Sequence, residues 1–156
     1  MDQELTGDLN LRLFVLVHQV RDAILKAREN EVYPHGISAI QAAVLDIIRL
    51  MGNRATPGEL SRWLFRKPHS VSGILDRMEA RGLIRRVRDL ERKNLVRLEL
   101  TEAGERIFRQ AHPKASLNRI FATFTEEERL LPAALLKRLR RSALREINLR
   151  YDPPIP

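Results

Sequence analysis

Apolar residues near the start of the chain fall at helical spacing. Leu9, Leu13, Leu16, Val17, Val20 and Ile24 form a stripe, widened by Phe14, Val15 and Ala23, which predicts a helix over 9–29. A loop holding Tyr33, Pro34, His35 and Gly36 ends it. Ser38 followed by Gln41 reads as a capping box and opens a helix over 39–51, stopped by Gly52 and Asn53. Thr56, Pro57 and Glu59 form a second box, with proline at the first helical position, for a helix over 57–65. Val71, Ile74, Leu75 and Met78 predict a fourth helix over 68–81, ended by Gly82. The period then changes. Two short strands are expected at 83–88 and 95–100, and in the second Val96, Leu98 and Leu100 alternate with Arg97 and Glu99. Thr101 with Glu102, and Thr125 with Glu126, Glu127 and Glu128, start two last helices, 102–124 and 126–150. Pro113 and Pro132 are expected to kink or interrupt these, and the tail 151–156 reads as irregular.

Three short helices followed by a hairpin make the winged helix pattern. The expected fold class is mainly α with a small β-hairpin wing: a winged helix-turn-helix core plus N- and C-terminal dimerisation helices. One domain is expected over 1–156, with 37–101 as the DNA-binding lobe and 8–30 and 102–150 as the helical dimerisation region. The last helix carries its own apolar stripe, Leu130, Leu131, Leu135, Leu136, Leu139, Leu144 and Ile147. Stripes this wide at both ends exceed what one small lobe can cover. Pairing across a two-fold axis would bury them, with Leu13, Val17, Val20, Leu135, Leu139 and Ile147 as candidate contacts. The alternative is packing into one bundle within the chain.

The fourth helix turns Val71, Ile74, Leu75 and Met78 to the core and leaves His69, Ser70, Ser72, Gly73, Asp76 and Arg77 opposite. A helix in the major groove reads base edges with its N-terminal residues, and small side chains permit close approach. Lys67, His69, Ser70, Ser72, Gly73 and Arg77 are therefore candidate DNA contacts. An ordinary amphipathic surface helix would look the same by itself. The hairpin adds to the case, because Arg85, Arg86, Arg88, Arg92 and Lys93 cluster on it. A basic loop can reach a minor groove or flanking phosphates, so Arg86, Arg88, Arg92, Lys93 and Asn94 are the candidate wing contacts. A solvated charged turn, softened by Asp89 and Glu91, is the plainer reading. The polar helix and basic hairpin together are more specific than either alone.

Composition fits but does not decide. Lys and Arg number 28 against 20 Asp and Glu, a formal net charge of +8, which suits a polyanionic partner. The chain is 44% hydrophobic and can bury a core. Having no cysteine, it has no disulfide, thiolate zinc site or thiol switch. No apolar run is long enough to span a bilayer, and residues 1–10 lack a basic n-region, so no membrane association and a cytoplasmic location are expected. His18, His35, His69 and His112 are scattered without metal-ligand spacing, and no metal or cofactor is expected. There is no phosphate-binding glycine loop and no nucleophile elbow, so the chain reads as no enzyme.

The run from Gly58 to Leu64, then Pro68-His69-Ser70-Val71-Ser72, then Asp76-Arg77-Met78-Glu79-Ala80-Arg81-Gly82-Leu83-Ile84-Arg85-Arg86 resembles the multiple antibiotic resistance regulator (MarR) family. The likeness continues through Leu98-Glu99-Leu100-Thr101-Glu102-Ala103-Gly104 to the Thr125-Glu126-Glu127-Glu128 start of the last helix. The chain departs from the family in three places. Phe65 and Lys67 stand where the family usually has glycine and then a small capping residue. Arg92, Lys93 and Asn94 replace an Asp-Arg-Arg in the wing, and Gly73 stands where many relatives carry a larger polar side chain. The resemblance implies a homodimeric regulator, often a repressor, on a pseudo-palindromic operator in double-stranded DNA. It also implies a small, often aromatic or phenolic effector that weakens DNA binding. The pocket would lie between the dimer base and the DNA-binding lobe, where His18, Arg21, Tyr33, His35 and Trp63 are candidates, Arg21 to hold a carboxylate. Two other readings stand beside this one: a winged-helix protein–protein interaction module that does not bind DNA, and the dimerisation part of an enzyme.

Overall fold

The structure, a computed structural model, describes residues 8–88 and 94–148. Helix α1 spans Leu9–Val32, opened by Asp8, whose carboxylate accepts from the Asn10 N–H at 2.8 Å. A 3-10 turn at Tyr33–His35 leads to α2, Ala39–Met51, where both halves of the Ser38–Gln41 capping box form. Helix α3 is Pro57–Trp63, capped by the Thr56 hydroxyl, and α4 is Pro68–Ala80. Gly82 follows at φ 67, a left-handed conformation that costs glycine least, and the chain turns into the hairpin. Strands β1, Ile84–Arg88, and β2, Val96–Leu100, pair antiparallel with Ile84 opposite Leu100 and Arg88 opposite Val96. Helices α5, Glu102–Ala111, α6, Ala115–Phe121, and α7, Leu130–Glu146, complete the described chain.

One core holds the lobe together. Leu45 and Ile48 of α2, Leu60 of α3, Val71, Leu75 and Met78 of α4, and Ile84 and Leu98 of the hairpin are all buried in it. The Leu98 N–H donates to the Ala55 carbonyl at 2.8 Å, which fastens β2 to the segment before α3. Helix α5 is seated by Gly104. A Cβ there would come 1.9 Å from the Leu83 carbonyl oxygen, so no other residue permits this approach. Outside the lobe, α1 packs on α2 and on α6.

Pro113 interrupts the stretch 102–124, as expected: it is two helices, because Pro113 has no N–H for the ladder and Lys114 turns left-handed at φ 49. Other bounds of the terminal helices differ from the expectation. The last helix begins at Leu130 rather than 126. The Thr125 box does form, with Glu128 N–H donating to Thr125 Oγ1 at 3.2 Å and Thr125 N–H to the Glu128 carboxylate at 2.8 Å. A ladder running on from 126 would need residue 132 to donate to the Glu128 carbonyl, and Pro132 has no N–H. Pro132 instead occupies the first turn of α7, where no ladder bond is required. The first helix runs three residues further than expected, to Val32.

Contacts across the chain brace α1. Arg28 is buried, and its guanidinium donates to the Ala111 carbonyl at 2.7 Å and to Glu31 at 3.0 Å. Ser116 Oγ also donates to Glu31. Burial opposes the Glu31 charge, but hydrogen bonds from Ser116, Arg28 and the Ala115 backbone outweigh it and hold the carboxyl below its ordinary value. No helix among the described residues is long and apolar enough to cross a membrane.

Candidate nucleic-acid interface

Helix α4 shows two faces. Val71, Ile74, Leu75 and Met78 are buried, while His69, Ser72, Asp76 and Arg77 are exposed and Ser70 and Gly73 are half-buried. Lys67, exposed, is the N-cap residue and makes no side-chain cap. The Arg77 guanidinium folds back over Gly73, 3.6 Å from where a Cβ would stand. The absent side chain at Gly73 thus lets Arg77 lie close along the outer face of α4.

The hairpin lies beside α4 and is tied to it through Arg86. Its Nη2 donates to Asp76 Oδ1 at 2.6 Å, its Nη1 to Glu79 Oε2, and its backbone N–H to Glu79 Oε1 at 2.9 Å. That backbone hydrogen bond, then the guanidinium, holds the Glu79 carboxyl below its ordinary value. Arg86 therefore spends its charge inside the molecule, unlike its expected place among the outward wing cations. The signal was present: Asp76 and Glu79 are three apart on one helix and face the same strand. Arg85 is also paired, its guanidinium 2.6 Å from Glu99 directly across the hairpin. Arg88 is exposed and makes no ion pair among the described residues. Asn94 is exposed, whereas Arg92 and Lys93 lie outside the described residues. Arg66, not singled out in the sequence, is exposed beside Lys67 and adds a cation at the start of α4.

Neither of two clefts that include candidate effector residues gathers all five. Arg21 lines a cleft of about 520 Å3 with Leu25, Lys26, Ile40 and Arg66. Trp63 lines a separate cavity of about 320 Å3 with Asp46, Leu50, Phe108, His112 and Lys114. His18, Tyr33 and His35 line neither. The Trp63 indole N–H is buried and has no hydrogen-bond partner. Groups of acids and histidines that could hold a metal ion are absent among the described residues.

Apolar side chains are left uncovered on two helices. Leu13, Val17 and Val20 of α1, Leu135 and Leu139 of α7, and Ile147 just beyond it are exposed. Leu144 of α7 is buried, whereas Leu130, Leu131, Leu135, Leu136 and Leu139 are exposed. The two stripes thus do not close into one bundle within the chain.

Comparison with known proteins places this architecture. The family model described as MarR family matches residues 35–89. The chain is 28% identical to the transcriptional repressor MdtR of Bacillus subtilis over 142 residues, 90% of this chain and 88% of that one. It is 34% identical to the multiple antibiotic resistance protein MarR of Salmonella typhimurium over 103 residues, 66% of this chain and 69% of that one. Among solved structures, the organohalide-sensing regulator RdhR bound to 2,4-dichlorophenol superposes with a TM-score of 0.79 at 32% identity, over 92% of this chain and 86% of that one. A mutant MarR from E. coli complexed with operator DNA gives 0.76 at 27% identity, over 85% and 99%. With the helix order, the hairpin and these likenesses in agreement, the chain belongs to the MarR family of winged helix-turn-helix transcriptional regulators.

Proposed function

We propose that this protein is a homodimeric repressor that binds a pseudo-palindromic operator through α4 and the hairpin. The observation that carries the reading is the exposed polar face of α4, with Lys67, His69, Ser72 and Arg77, held against the hairpin by Arg86. Ser70 and Gly73 deepen the approach of that face to base edges. Arg88 and, from the sequence, Arg92, Lys93 and Asn94 supply backbone contacts beside it. A relative of the same fold is crystallised on operator DNA, and another is named a repressor, which supports the same use here. The uncovered leucines and valines of α1 and α7 support a dimer, since a second copy is the simplest cover for two matched stripes.

Selection of bound duplexes from a random pool, followed by footprinting, tests the reading. Two mirrored half-sites about 10 bp apart, or a multiple of that, are expected. Recovery of no preferred sequence would favour the protein-interaction module instead.

An effector is the second part of the proposal. The Trp63 cavity combines apolar walls from Leu50 and Phe108 with a polar side where Lys114 is paired to Asp46 at 3.1 Å. An apolar slot with one polar side suits a phenol, and one relative is crystallised with 2,4-dichlorophenol. Titration of chlorophenols against Trp63 fluorescence, with DNA release as the second readout, is the check.

A further inference from the structure

Phe65 stands in the turn between α3 and α4 at φ 50. A bulky L-residue adopts this left-handed backbone only at a cost, whereas glycine and asparagine adopt it readily. The turn itself is closed by backbone: Phe65 N–H donates to the Arg62 carbonyl at 3.3 Å, and Arg66 N–H to the Ser61 carbonyl at 3.1 Å. No feature of this hydrogen bonding calls for an aromatic side chain. Nor does burial, because Phe65 is 53% exposed. Arg66 and Lys67, the next two residues, are both exposed cations. Most of the other exposed large apolar side chains gather on α1, α7 and their flanks, so Phe65 stands apart from those stripes and next to cations.

We propose that Phe65 is a specificity-determining residue whose ring lies against a thymine methyl at the lip of the major groove. The inference rests on the DNA-binding reading above. The exposed cations Arg66 and Lys67 that follow it suit a polyanion rather than the apolar face of a second copy, and phenylalanine is among the side chains that read the thymine methyl by apolar contact. The strained turn then serves to hold a ring at the groove edge, at the expense of the fold.

The test uses the full chain and the operator recovered from a random pool, with thymines replaced by uracil one at a time. Loss of one methyl contact corresponds to about fourfold in affinity. Wild type should lose about fourfold at one thymine in each half-site. Phe65→Asn should bind the unmodified operator about fourfold more weakly and be indifferent to uracil at that position. Phe65→Tyr should behave as wild type. Phe65→Asn should also melt no lower than wild type and stay the same size by light scattering. A flat uracil scan with a sequence-selective wild type overturns the proposal alone. A lower melting temperature for Phe65→Asn assigns the ring to the fold, and a change in size assigns it to the subunit contact; either overturns it. A wild type with no sequence preference overturns the DNA-binding reading and this inference with it.

Discussion

Arg86 and Arg88 are two positions apart on one strand, yet they face different tasks. Arg86 donates to two carboxylates and joins the hairpin to α4; Arg88 has no ion pair among the described residues. Replacing Arg88 with Gln should remove one phosphate contact and lower the salt slope of DNA binding by ~0.9. Replacing Arg86 with Gln should leave that slope unchanged and lower stability instead, by about 1 kcal/mol for partly exposed ion pairs. Thermal melts and binding at several salt concentrations separate the two. A fall in slope for Arg86→Gln would show that it touches DNA after all. In sequence the two arginines differ only through the acidic pair Asp76 and Glu79, seven to ten residues upstream of Arg86.

At the scale of elements, the caps were readable because their chemistry is local. Ser38, Thr56 and Thr101 each accept from the N–H three residues on, a contact that spacing alone predicts. The break at Pro113 was readable as a proline, but the left-handed Lys114 that redirects α6 was not. Arg28 was invisible, since its partner Ala111 is 83 residues away and only the folded chain joins them. The Glu31 carboxyl it holds titrates below its ordinary value of 4.5, so its contribution is full above that pH and is lost as pH falls through the lower folded value. Glu31→Gln should remove this part of the acid sensitivity below pH 4.5, seen as a flatter melting-temperature profile there. Gly104 offers a second element-scale check. Gly104→Ala must displace α5 from Leu83 and should cost about 1–3 kcal/mol by denaturant unfolding.

For the whole molecule, the mainly helical fold with its small wing was legible from the change in period after Gly82. The relation of the two ends was legible only as an excess of apolar surface. The structure leaves Val20 about 49% and Leu139 about 52% exposed. Changing both to glutamate should yield a monomer by light scattering and weaken operator binding far more than either wing substitution. The leucine faces of α1 and α7 are separate from the reading face of α4, and this separation has a genetic consequence. A chain can lose its grip on DNA and still recruit a normal copy. Ser72→Glu should place a charge against the phosphates, abolish binding and leave pairing intact. When it is made in equal amount with wild type, random pairing would leave about one quarter of the pairs fully competent. A single defective allele should therefore be dominant, and co-expression with a reporter under the operator would reveal it.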